Sequence, residues 1–347
     1  MDTSGVNPDE NRHRDEAFLD YLRNQLGTDA LGFAVRPTRL TGGYDTTIWA
    51  FELGGAREPA WRQPLVARVF KPGERERPRR EGAIHSAISE QGFPCPPALL
   101  TEESDEPLGG PFIVMPRLPG RPLLDFALSP TGWYRVPRLL ARTQLALHAL
   151  DAERVRERLA EHGFPLAAVG VEAWLSRARS DVQRDGLRQF EPALNWIEAN
   201  APEVSSPVVC HCDFHPLNLL AERWRVTGVI DWPNALFAEP ELDVAFSRVI
   251  MTMGPIDAGA LNSVVSGIRG GLTRLYEREY RKHRPLDTRK LRYYEALRCL
   301  FAMLNAARGR ERGGQGFVDE YAWGKPRQVA LMTGHFRAVT GVELPAP

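Results

Sequence analysis

The chain has 347 residues, too many for one small core, with 43% hydrophobic and 25% charged residues, so it reads as a folded protein of two lobes. Lys plus Arg and Asp plus Glu both number 44, and this zero balance gives no reason to expect nucleic acid or an anionic membrane as partner. Four cysteines in so long a chain are not a disulfide framework, the polar N-terminus is not a secretory signal, and no apolar run approaches the ~20 residues of a membrane span. A cytoplasmic location is the expectation; the oligomeric state is not legible.

In chain order, Phe18, Leu19, Leu22 and Leu26 recur at helical spacing, so a helix covers Glu16 to Leu26. Arg39 to Tyr44, with Gly42 and Gly43, reads as a turn, followed by strands over Thr46–Leu53 and Leu65–Phe70. A helix over Arg79–Gln91 stops at Gly92, with prolines beyond it. Phe112–Met115 is a short buried strand, and the Pro/Gly-rich stretch after it marks the lobe boundary. Beyond it the patterns are mainly helical: Trp133–Leu150, one or two helices in Glu172–Asn200, and Leu242 to the end, interrupted by strand-like runs in Ser206–Ile230. The expected fold is α+β, a small mixed lobe over 1–115 and a larger helical lobe over 116–347.

The densest chemistry lies in Val208 to Asp231. An apolar strand leads into His211-Cys212-Asp213-Phe214-His215-Pro216-Leu217-Asn218, and a second strand, Val226–Ile230, ends on Asp231. Phosphoryl transfer needs a carboxylate to orient the attacking hydroxyl and oxygen ligands to hold Mg²⁺ against the phosphates. His-x-Asp, an Asn five positions on and a later strand-end Asp are that set of parts. Asp213 is the candidate base, and Asn218 and Asp231 are the candidate metal ligands. Taken singly, each is as readily a turn former or a cap. Cys210, His211, Cys212 and His215 do not make a zinc site: Cys-x-Cys on a strand lacks the usual spacing, and no distant Cys pair completes a set. His211 is expected to brace the loop through backbone hydrogen bonds.

On His211 to Leu220 and on Val229-Ile230-Asp231-Trp232, the sequence resembles the aminoglycoside phosphotransferase/choline kinase family over roughly residues 35 to 250. The resemblance implies a protein-kinase-like two-lobe fold and transfer of phosphate from ATP (or GTP), with Mg²⁺, to a hydroxyl on a small molecule. Gly42 and Gly43 then resemble the nucleotide-covering loop, and Met115 joins Arg68 and Glu81 in the nucleotide set. Leu147-His148 resembles a structural helical signature, and Asp243 a position that supports the active-site loop. Two departures stand out. Cys212 replaces the usual Gly, and Arg68 stands where a phosphate-binding Lys is usual.

The residues argue for Arg68 independently. A charge inside the apolar strand Val66-Ala67-Arg68-Val69 needs a partner, and Glu81 shares a helix face with Ile84 and Ile88. A buried Arg68–Glu81 pair is the expectation. Lys71 falls on the opposite face of the strand. The acceptor is less legible: the last hundred residues carry about twice as many basic as acidic residues, which favours a neutral or anionic acceptor over a polycation. Trp133, Trp174, Trp196 and Trp323 could form an apolar or cation-binding pocket, but Trp at helical spacing is more often core. The alternative is a non-catalytic kinase-like module that binds nucleotide or a partner. A protein kinase ranks last, because Trp232-Pro233 follows Asp231 and no Ala-Pro-Glu segment appears.

Overall fold

A computed structural model describes residues 8–40, 46–165, 170–256, 259–320 and 322–347. The chain divides into two compact units. The first comprises 1–120 together with 157–164 and 227–233; the second holds the remainder.

The first unit opens with helix α1 (Pro8–Leu26), followed by strands β1 (Gly32–Leu40), β2 (Thr47–Gly54) and β3 (Leu65–Val69). Helix α2 (Glu76–Ser89) then leads to β4 (Leu100–Glu102) and β5 (Phe112–Pro116). The strands form one antiparallel sheet in the order β1-β2-β3-β5-β4. Strand alternation gives each face its own cluster. On one face, Leu65, Ala67, Val69, Phe112 and Val114 pack against Phe18 and Leu22 of α1. The Phe18 ring meets Phe51 and Phe112 edge-on at 5.3 and 5.7 Å. Burying each such ring contributes about 1.5–3 kcal/mol, which ties α1 to the sheet. The opposite face carries Val66, Arg68, Ile113 and Met115, with Val66 opposite Met115 and Arg68 opposite Ile113. Helix α2 lies close to β4, since a Cβ on Gly82 would come within 2.6 Å of the Thr101 hydroxyl.

The sequence patterns mark no strand at β1, whose last two residues read as the start of a turn, and none at β4. Pro37 sits inside β1, and the pairing with β2 shifts register between Val35 and Thr38. A proline on an edge strand with a bulge erases the alternation that marks a strand. Strand β4 has only 3 residues, too few to show a period.

The second unit begins with β6 (Arg121–Pro122) and α3 (Gly132–Leu147), and continues through α4 (Ala152–Glu161), whose first residues belong to it. Then come α5 (Val171–Arg184), α6 (Glu191–Ala199), β7 (Val208–Cys210), β8 (Leu219–Glu222) and β9 (Arg225–Val229), the last of which belongs to the first unit in all but its first two residues. After β10 (Leu236–Ala238) the chain is helical: α7 (Pro240–Met253), α8 (Asn262–Arg281), α9 (Thr288–Glu320) and α10 (Pro326–Thr340). Helix α3 packs on α8, and α9 packs on α7 and α10. Buried Leu140, Leu147, Tyr276, Tyr280, Leu297 and Leu300 fill this core. Two short antiparallel pairs, β7 with β10 and β6 with β8, bracket the His211–Asn218 loop. Among the described residues, no helix is long and apolar enough to cross a membrane.

Candidate active site

Strand β7 ends at Cys210, paired with Leu236 of β10, and the chain turns sharply. Cys212 makes the turn with φ of +64°, in the left-handed region that glycine occupies without penalty. It therefore lies beyond the strand, which ends at Cys210. All four cysteines are buried thiols. The Cys210 thiol lies 3.7 Å from the carbonyls of Ala238 and Glu239, and burial pushes its pKa well up.

A buried carboxylate anchors the turn. Asp243, in the first turn of α7, accepts the Cys212 backbone N–H at 2.6 Å through Oδ1. Its Oδ2 accepts from Gln144 Nε2 at 2.8 Å and faces His148 Nε2 at 3.1 Å. His148 Nδ1 meets the Tyr280 hydroxyl at 2.6 Å, so donation from Nε2 to Asp243 makes Nδ1 the acceptor. Tyr276 in turn donates to Gln144 Oε1. Burial pushes the Asp243 carboxyl up, but His148, His211 and Gln144 outweigh it and hold the pKa below the ordinary range. His148 and Asp243 were both read from sequence as supporting residues, and they support this loop together. Gln144 was missed, although it lies four residues before His148 on the same helix face.

The loop presents Asp213, half-buried. Its N–H donates to His211 Nδ1 at 3.2 Å, the bracing role expected of His211. Asn218 Nδ2 donates both to the Asp213 carbonyl, at 2.9 Å, and to its carboxylate Oδ2, at 3.1 Å. These two bonds turn Asn218 Oδ1 away, and no donor among the described residues reaches it. His215 Nε2 lies 3.4 Å from the same Oδ2. Burial pushes the Asp213 carboxyl up, yet His215, Arg298 and His211 bring its pKa down to about 2. The group is ionised at neutral pH and accepts a hydrogen bond rather than storing a proton.

In the first unit, Arg68 joins two carboxylates. Nη1 pairs with Glu81 Oε1 at 2.6 Å, as the strand and helix patterns predicted, and Nη2 pairs with Asp231 Oδ1 at 2.8 Å. The Glu81 side chain is only 2% exposed. Burial raises its pKa, but Arg68 and His85 hold it below normal. Asp231 has φ of +71°, which an Asp tolerates better than most residues, and its Oδ2 has no donor among the described residues. Met115 shares the sheet face of Arg68, whereas Lys71 is exposed beyond the end of β3. Gly42 and Gly43 lie outside the described residues.

The sequence profile of the phosphotransferase enzyme family matches residues 37–286. The chain belongs to that family. Arg68, Glu81, Met115, Asp213, Asn218, Asp231 and Asp243 all fall inside the matched segment. Among members, viomycin phosphotransferase of Streptomyces vinaceus is 32% identical over 201 residues, covering 52% of this chain and 67% of that protein. Acyl-CoA dehydrogenase family member 10 of Mus musculus is 24% identical over 238 residues, covering 67% of this chain. The chain spans about a fifth of the length of that mouse protein and of rat acyl-CoA dehydrogenase family member 11. A thermostable mutant of aminoglycoside phosphotransferase APH(4)-Ia, solved with AMP-PNP and hygromycin B, shares the fold. Its TM-score is 0.58 at 19% identity, over 94% of this chain and 100% of that one.

Proposed function

We propose that the protein transfers the γ-phosphoryl group of ATP (or GTP) to a hydroxyl group of a small molecule. The observation that carries this is the Asn218 side chain bonded to both the carbonyl and the carboxylate of Asp213, on a loop fixed by Asp243. That arrangement holds an ionised carboxylate in one orientation and points an amide oxygen outward. Membership of a phosphotransferase family, and a fold shared with an enzyme solved with a nucleotide analogue and hygromycin B, support the same reading.

In this reading Asp213 accepts the hydrogen bond of the acceptor hydroxyl and receives its proton as the oxygen attacks phosphorus. A new O–P bond forms, the bond from the γ-phosphorus to the bridging oxygen breaks, and nucleoside diphosphate leaves. Hard cations prefer oxygen, and Asn218 Oδ1 and Asp231 Oδ2 are each an oxygen with no protein donor among the described residues, the chemistry a Mg²⁺ ligand would need. Mg²⁺, when bound, neutralises phosphate charge. Arg68, oriented by Glu81, is the phosphate-facing cation, and Met115 borders the nucleotide from the same sheet face.

The test is Mg²⁺-dependent ATP or GTP consumption across a panel of hydroxylated small molecules. Asp213→Asn should lower kcat by roughly 10²- to 10⁴-fold while nucleotide binding persists. Nucleotide binding without any acceptor-dependent turnover would instead favour a non-catalytic nucleotide-binding module.

A further inference from the structure

Helix α9 carries a cation, Arg298, that has no carboxylate within ion-pairing distance among the described residues. The Arg298 guanidinium lies 5.6 Å from the centre of the Phe246 ring and 4.9 Å from that of Trp323. Its Nε is buried and makes no hydrogen bond. Among the described residues, no carboxylate pairs with it. Glu295, one turn earlier on the same helix, is already held by Arg248 at 2.8 Å and His335 at 3.1 Å. Ring contacts engage the faces of a guanidinium and leave the in-plane N–H groups available, which is the geometry that grips a carboxylate or phosphate.

Aromatic side chains surround the guanidinium. Trp174 stacks on Phe246 at 6.2 Å and meets Phe301 edge-on at 5.5 Å. Trp174, Phe301 and Trp323 are only partly buried, so apolar surface borders the charge. Phe246 follows Asp243 by one helical turn, and Asp243 holds the loop that presents Asp213. Arg298 lies outside the segment matched by the family, 37–286.

We infer that Arg298 binds an anionic group of the acceptor, and that the substrate is a hydroxylated anion whose apolar body lies on Trp174, Phe301 and Trp323. This rests on the phosphotransferase reading and narrows it. An unpartnered cation and aromatic surface suit such a molecule, whereas a polycation would meet like charge with no compensating carboxylate on Arg298.

The experiment uses matched acceptors that differ only in charge: a hydroxy acid, its amide and the corresponding amino alcohol, each built on phenyl, hexyl and sugar-chain bodies. Nucleotide consumption is measured with wild type, Arg298→Met, Arg298→Lys and Asp213→Asn. The acid should be the preferred member with wild type. Arg298→Met should raise KM for the acid by roughly 10- to 100-fold, change kcat by much less than that, leave the nucleotide KM near wild type, and erase the charge preference. Arg298→Lys should fall between the two. If Arg298→Met does not fold, the wild-type preference and the Lys variant decide the matter. An amide or amine turned over as well as the acid, with Asp213-dependent activity intact, overturns this assignment and leaves the kinase reading standing. No Asp213-dependent consumption with any member overturns both.

Discussion

Arg68 shows what a single side chain contributes and how it differs from the usual lysine. Its two terminal nitrogens reach two carboxylates, Glu81 and Asp231, which one ammonium at the end of a flexible stem does not span with the same geometry. Arg68→Lys should therefore keep the fold but raise the nucleotide KM by roughly tenfold, with kcat/KM falling in step. Arg68→Met should be harsher, because it strands the Glu81 carboxylate, which is 2% exposed. Leaving a buried charge uncompensated costs about 3 kcal/mol or more, read as a lower urea midpoint. Replacing both residues, Arg68→Met with Glu81→Leu, should recover much of that stability without recovering nucleotide affinity. The Arg68–Glu81 pair was legible in the sequence because strand and helix periodicities each turn a charge inward. The Asp231 contact was not, since 163 residues separate the partners and no local pattern spans such a distance.

Between residue and whole chain lies the turn after β7, held by α3, α7 and α8 through Gln144, His148, Asp243 and Tyr280. Its motif was legible because the spacing of Asp213 and Asn218 is local; its bracing was only partly so, because Gln144 and Arg298 carry no distinguishing pattern. Cys212 occupies a left-handed conformation that costs a non-glycine residue about 1–2 kcal/mol. Cys212→Gly should thus change stability by less than about 1 kcal/mol, lost burial offsetting relieved strain, while the β-branched Cys212→Val should lose about 2 kcal/mol or more. Chemical denaturation gives the order; a Val variant as stable as wild type would contradict the turn. Asp243 sets a pH dependence. Its folded pKa is depressed, so its stabilisation is fully present above the ordinary carboxylate value near ~4 and is lost as pH falls through the lower folded value. Asp243→Asn aims an amide N–H at two donors or turns it on the Cys212 N–H, and should cost about 2–3 kcal/mol at neutral pH. It should also flatten the acid limb of the stability curve, measured as melting temperature from pH 6 downwards.

At the scale of the whole molecule, composition foreshadowed the architecture, since β-branched strands give way to helical patterns beyond Pro116–Gly120. What composition did not signal is that Glu157–Phe164 belongs with the first unit, where Arg158 pairs with Glu90 at 2.6 Å and Arg79 lies over Phe164 at 5.2 Å. Contacts of this kind depend on tertiary proximity rather than on local pattern. The proposed activity has a consequence that the entire chain reports. A ligand that binds only the folded state stabilises it by mass action, about 2.7 kcal/mol at a hundred times its dissociation constant. For a chain this long that is a rise of roughly 5 °C in melting temperature, because the larger unfolding entropy of long chains shrinks the shift per kcal/mol. ATP with Mg²⁺ should produce such a rise, and chelating the metal should remove most of it. Asn218→Ala deletes a proposed metal oxygen and the two hydrogen bonds to Asp213, so it should melt somewhat below wild type alone and gain little from nucleotide with Mg²⁺. Asp231→Ala should behave likewise towards the ligand while also releasing Arg68. A full shift retained in both variants, or one indifferent to metal, would mean that nucleotide is held without these residues and would remove them from the site.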